Sequence, residues 1–177
     1  MNKIILFCGL PLSGKSTLAR KLVHCLKVPY FDIDDIRQRF FQNPRAEISR
    51  EKSLFQMSIS YEALFLTTEM LSELGHDVVI SATFSGERSQ QNIIEISKRN
   101  NARLKAIYCH APDEIIKKRL DQRENNKESF STCRTWNHYV SDKERFKLLQ
   151  VNPLLVIDTS VPQEESLKRI IGFSKIN

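Results

Sequence analysis

Two short stretches carry the residue types that chemistry on phosphate requires. The first, Gly9-Leu10-Pro11-Leu12-Ser13-Gly14-Lys15-Ser16, satisfies G-x-x-x-x-G-K-[ST] and is followed by Thr17. Its two glycines admit backbone torsions that a side chain would obstruct, so consecutive N–H groups can converge on phosphate oxygens. Lys15 has the reach to set its ammonium against β- and γ-phosphates, and the Ser16 hydroxyl is a ligand type for Mg²⁺. Gly9, Leu12, Ser13, Gly14, Lys15, Ser16 and Thr17 are therefore the expected nucleotide-binding residues. The second stretch, "YFDIDDIRQRF" (Tyr30–Phe40), sets Asp32, Asp34 and Asp35 directly after an apolar pair. In parallel α/β sheets ligands gather at the carboxyl ends of the strands, so these acids should face the phosphate loop. Asp32 and Asp34 share one side if the strand runs that far. One carboxylate would then approach Mg²⁺ through water while the other accepts a proton from a substrate hydroxyl. Arg37, one helical turn past Asp34, can orient it or balance the transferring charge. The plainer role for Asp34 or Asp35 is to cap the helix that follows.

The elements that must position these groups alternate along the chain. Apolar, β-favouring runs predict strands over Lys3–Cys8, Val28–Ile33, Asp77–Ser81, Leu104–Cys109 and Leu154–Asp158. Helical spacing predicts helices over Ser16–Leu26, Asp34–Gln42, Glu51–Leu74 (stopped by Gly75), Ser89–Arg99 and Pro112–Arg123. Ser141-x-x-Glu144 reads as a capping box opening a helix through Leu149, and Ser160-x-x-Gln163 as the cap of a terminal helix. Strands separated by helices imply a three-layer α/β fold: a five-stranded parallel sheet with helices on both faces. A single domain over residues 1–177 is expected, with a lid at about residues 120–135.

The 177 residues suffice for a core without disulfides or metals, and the composition, 41% hydrophobic and 27% charged, is that of an ordinary globular chain. Most of the net charge of +6 arises in residues 1–30, where Lys3, Lys15, Arg20, Lys21 and Lys27 face no acid. A phosphate-binding end accounts for that excess as readily as nucleic acid does. The four cysteines form no Cys-x-x-Cys pair, which predicts reduced thiols and a cytoplasmic protein. The apolar start feeds straight into the glycine loop without a cleavage site, and no run reaches membrane-spanning length.

Three fates are open to a phosphate held this way. A switch GTPase would carry D-x-x-G and N-K-x-D, and neither occurs; "NKES" has Ser129 where the reader Asp belongs. A motor ATPase would end an apolar strand on an acid, whereas "DVVIS" ends on Ser81. Phosphoryl transfer remains, with a nucleotide-binding regulator of slow hydrolysis as the alternative.

The glycine loop combined with "DIDDIR" resembles the small-kinase group of P-loop proteins, which includes shikimate and gluconate kinases, chloramphenicol phosphotransferase, zeta-type toxins, polynucleotide 5′-kinases and AAA-type predicted kinases. The resemblance runs from Lys3 to about Thr83 and more loosely beyond. It implies an ATP-dependent, Mg²⁺-dependent kinase with Asp34 as general base, Arg37 as its partner, Asp32 beside Ser16 at Mg²⁺, and Lys15 on the transferred phosphate. The implied acceptor is a hydroxyl of a small molecule or of a nucleic-acid 5′ end, with neither a membrane nor an obligate protein partner required. The chain departs from the group at Ser81-Ala82-Thr83, a stretch where related kinases usually carry an acid.

Around this centre, Phe40–Leu74 is where the group builds its acceptor site; it mixes Arg45, Arg50 and Lys52 with Phe40, Phe41 and Phe55. Core phenylalanines and solvated bases explain the same residues. Thr83 and Arg88 flank the loop after the third strand and are expected to contact substrate. Arg119 and Arg123 stand at i and i+4 on one helix face, which resembles the group's lid, where arginines close over ATP, with Arg134 as a second lid arginine; an ordinary charged helix explains the same residues. Trp136, His138 and Tyr139 read as packing or acceptor-side residues without a metal role, and "IDTS" resembles the group's adenine-reading loop.

Overall fold

The computed structural model describes residues 1–41, 49–125, 133 and 135–175. The elements run β1 (Lys3–Cys8), α1 (Lys15–Leu26), β2 (Tyr30–Asp32), α2 (Ile33–Phe41), α3 (Arg50–Glu73), β3 (Val78–Ser81), α4 (Glu87–Arg99), β4 (Arg103–His110), α5 (Asp113–Asn125), α6 (Trp136–Arg145), β5 (Leu154–Asp158) and α7 (Gln163–Lys175). The strands form one parallel sheet in the order β2-β3-β1-β4-β5, as the alternation of patterns predicts.

β1 lies at the centre, and its period-two alternation divides the core. Ile4, Leu6 and Cys8 point to one face, where they meet Leu64 and Phe65 of α3 and Ile93 and Ile96 of α4. Ile5 and Phe7 point to the other, against Leu18, Ala19 and Leu22 of α1 and Ile170 of α7. Each large side chain so buried contributes about 1.5–3 kcal/mol of transfer free energy. A smaller cluster joins Leu10 and Leu12 of the glycine loop to Ile116, Leu120, Cys133 and Tyr139, which seats the loop on α5 and α6.

Several boundaries differ from expectation, each for a local reason. β2 stops at Asp32 because Asp32 Oδ1 accepts the backbone N–H of Asp34, turning the chain into α2. Asp34 is therefore a first-turn helical residue, not a strand partner of Asp32. The helix expected from Ser141 begins at Trp136, capped by the Thr135 hydroxyl on the His138 N–H, and ends at Arg145. Ser141 lies inside it, with its hydroxyl on Arg145. Ser160 does not cap α7: its own N–H is held by Asp158 Oδ1, and the helix starts beyond Pro162. Arg45, Arg134 and residues 126–132 of the expected lid lie outside the described residues. Among the described residues no helix is long and apolar enough to cross a membrane.

Candidate active site

The glycine loop owes its shape to backbone positions that side chains would spoil. Gly9 has φ +139°, and a Cβ there would run into the Cys109 carbonyl oxygen of β4. Gly14, at φ +81°, caps α1 and packs against Thr159, just past β5. Leu12 also has positive φ (65°), and its side chain is spent on the apolar cluster under α5. Of the expected nucleotide-binding residues, Leu12 can thus offer only its backbone. Lys15 is buried at the mouth of α1, with Nζ donating to the Leu10 carbonyl at 3.3 Å. The Ser13 hydroxyl is buried without a hydrogen-bond partner among the described residues. A cradle that excludes Cβ atoms, an unsatisfied hydroxyl, a buried ammonium and a helix N-terminus fit a polyphosphate.

Thr159 and Arg119 hold this cradle from behind. Arg119 donates to the Leu12 carbonyl and the Thr159 hydroxyl, both at 2.9 Å, and to the Thr159 carbonyl at 2.6 Å. The Thr159 hydroxyl in turn lies 2.8 Å from the Ser13 carbonyl. Burial lowers the Arg119 pKa, against the pull of Asp158. Expected as a lid arginine, Arg119 here ties the loop to the end of β5 while still bordering the cleft.

The acids lie at the end of β2 and in the first turn of α2. Strand register sets Asp32 beside Ser81, and the Ser81 hydroxyl is 3.4 Å from that of Ser16. The Asp32 carboxylate is held at the tip of β2, Oδ2 accepting from the Tyr30 hydroxyl at 2.7 Å and Oδ1 from the Asp34 N–H at 2.9 Å. The Ser16 hydroxyl borders the cleft and is an oxygen donor of the kind Mg²⁺ accepts alongside substrate phosphates and water, whereas Asp32 is not among the residues that border it. Asp34 borders the cleft, its pKa raised to about 6 by burial and by the Asp32 charge, against the pull of Lys15, Arg37 and Arg123. Asp35 points away and pairs with Arg20.

One cleft of about 1260 Å³ connects the glycine loop with α2, α3 and α6. Lys15, Ser16, Thr17, Arg119 and Arg123 border one half, and Asp34, Arg37, Thr83 and Arg50 the other. Arg37 is 1% exposed and turns toward α3. It donates to Gln56 Oε1 at 2.9 Å and to Ser53 Oγ at 3.2 Å, and makes no ion pair among the described residues. Burial accordingly lowers its pKa, opposed by Asp34. It acts on Asp34 through its field and, among the described residues, donates to Gln56, Ser53 and Met57 instead. Arg88 corrects the expectation of a substrate contact: it is 83% exposed, pairs with Glu62 and does not border the cleft. Gly86 precedes the first turn of α4 and carries Arg88 outward over α3.

Sequence reasoning missed most of the α6 wall. His138, Ser141, Asp142 and Arg145 all border the cleft, and their i, i+3, i+4, i+7 spacing is one helix face. That spacing is legible once the helix is known to begin at Trp136. His138 and Arg145 both flank Asp142, at 3.7 and 4.0 Å.

The chain resembles known proteins on three scales. A shikimate kinase from Chlamydia pneumoniae is 50% identical over 32 residues, which is 18% of this chain and 18% of that protein. The whole fold superimposes on a candidate kinase from Chloroflexus aurantiacus with a TM-score of 0.79, 18% identity, and coverage of 97% of this chain and 98% of that one. It also superimposes on the Mycobacterium tuberculosis APS kinase, solved with AMPPNP and APS (TM-score 0.68, 16% identity, 99% of this chain and 98% of that one). The sequence family described as the AAA domain matches residues 4–145, most of the chain, and this protein belongs to that family.

Proposed function

We propose that this protein is an ATP-dependent kinase that transfers the γ-phosphate to a hydroxyl group, on a small molecule or a nucleic-acid 5′ end. The observation that carries the proposal is Asp34: a carboxyl raised to about 6 on the wall of the same cleft as the phosphate loop. A carboxyl of that pKa is ionised at neutral pH yet basic enough to accept a proton in a transition state. The fold shared with an APS kinase solved with a nucleotide analogue and a second substrate supports the same reading.

The loop N–H groups and Lys15 would hold the triphosphate; Ser16 would hold Mg²⁺, with Asp32 reaching it through water. ATP and Mg²⁺, when bound, supply the phosphoryl group and the charge that offsets it. Lys15 would balance charge on the γ-phosphate side while Asp34 takes the acceptor proton onto its carboxylate, so that the acceptor oxygen can bond to the γ-phosphorus as the bond to the departing ADP breaks. Arg37 keeps a positive field beside Asp34. Arg123, four residues past Arg119 on α5 and bordering the same cleft, would help shield the site from the water that would waste ATP. A cytoplasmic setting, in which Cys8, Cys25 and Cys109 would stay as thiols, belongs to this reading.

The test is an ADP-release screen across sugars, nucleosides, antibiotics and 5′-hydroxyl oligonucleotides, run with wild type and Asp34→Asn. Acceptor-dependent release that Asp34→Asn abolishes, with ATP binding retained, is the expected result. Slow hydrolysis indifferent to every acceptor would favour the regulatory reading. Transfer to an oligonucleotide that falls steeply with added salt would identify the nucleic-acid class.

A further inference from the structure

The α3 helix is apolar on both sides, and among the described residues only one side is covered. Leu64 and Phe65 face the core. On the opposite, outward face Phe55 is 61% exposed, Ile59 36%, Leu66 58% and Met70 55%. At about 100° per residue these four fall within one narrow stripe along the helix. A bare row of large apolar side chains on a long helix marks a contact surface, since single soluble chains rarely expose such a patch.

We infer that this stripe is a two-fold interface with a second copy of the chain, formed by antiparallel pairing of α3 with α3. A two-fold contact requires a surface complementary to itself under reversal. The stripe meets that condition in one register. Phe55 lies opposite Met70 of the second copy, and Ile59 opposite Leu66. The same register brings Lys52 opposite Glu73, so an ion pair closes each end of the apolar row.

The charges along the helix agree with this. Glu62 and Glu69 are already paired within the chain, to Arg88 at 3.3 Å and to Arg99 at 2.7 Å. Lys52 and Glu73 are exposed and make no ion pair among the described residues. Glu62, which falls near the two-fold axis opposite Ala63, is thus drawn aside to Arg88. A parallel arrangement would set like charges against one another at both ends and lose the ion pairs. The inference is independent of the proposed kinase activity, because none of these four apolar residues borders the cleft.

Light scattering and sedimentation equilibrium of the full chain over a concentration series test it. The expected result is a reversible species of twice the chain mass. Leu66→Glu should raise the dissociation constant by tenfold or more, with an unchanged circular-dichroism spectrum, because residue 66 is solvent-facing. Lys52→Glu and Glu73→Lys should each weaken the dimer about three- to tenfold, and the two together should recover most of the loss. A monomer at every concentration overturns the inference, including one that binds only an unrelated protein. So does a dimer indifferent to Leu66→Glu, or a double charge reversal that fails to recover.

Discussion

The two halves of the cleft are built in opposite ways. In the half at the glycine loop, backbone does the holding and side chains from far along the chain lock it. Gly9 abuts β4, Arg119 reaches back to Leu12, and Thr159 braces Ser13. In the half at α2, α3 and α6, charged side chains line the wall and their partners are neutral or shared. Arg37 rests on Gln56 and Ser53, while Asp142 lies between His138 and Arg145. A site for one invariant ligand part can be made of rigid backbone. A site for a particular acceptor needs side chains, which a family can exchange without disturbing its fold.

The largest way to break that contrast is Asp34→Asn. Transfer should fall about 10³-fold, while nucleotide affinity, set by the other half, stays within a few-fold in a titration with a fluorescent ATP analogue. The raised carboxyl also dictates two pH responses. Transfer should rise with pH through about 6, as Asp34 ionises, and then level off. Stability runs the other way, since burial disfavours the ionised form in the folded state. The penalty is absent below the ordinary value of 3.8, grows as pH rises and is complete above about 6. Asp34→Asn should therefore stabilise the fold at pH 7 by on the order of 1 kcal/mol and leave it unchanged near pH 3, as urea melts at the two pH values would report.

Next in size is Gly9→Ala, which drives a methyl group into the Cys109 carbonyl at a positive φ. A loss of about 3 kcal/mol in thermal denaturation, with weakened nucleotide binding, is expected. Thr159→Val removes the hydroxyl that both Arg119 and the Ser13 carbonyl use. It should cost about 1–2 kcal/mol and weaken nucleotide binding without altering acceptor preference, which steady-state kinetics would separate. Smallest is Arg88→Ala: its exposed pair with Glu62 lies outside the cleft, so stability should change by about 0.5 kcal/mol or less and transfer not at all. A large loss of transfer in Arg88→Ala would instead extend the acceptor half to the start of α4.

How far the sequence carries the reader differs between these halves. The phosphate loop is a contiguous string whose geometry is dictated by its own glycines, so its eight residues announce it. The sheet is equally legible, because buried parallel strands must be largely apolar, as "KIILFC" and "VVIS" are. Asp32 beside Ser81 is not legible, because it depends on β2 and β3 being neighbours. The α6 wall was obscured by a local competition, in which Thr135 capped the helix before the Ser141-x-x-Glu144 pattern could.

By itself the sequence determined the α/β layering, the phosphate loop and the short run of acids that follows, since each depends on neighbours a few residues away. Only the tertiary structure decided that Arg119 braces the loop, that Arg37 turns to Gln56, that Arg88 faces solvent and that α3 keeps an apolar face uncovered. Those outcomes rest on contacts between residues far apart in the chain, as Arg119 and Leu12 are. Such contacts are set by strand order and helix rotation, which no local pattern encodes.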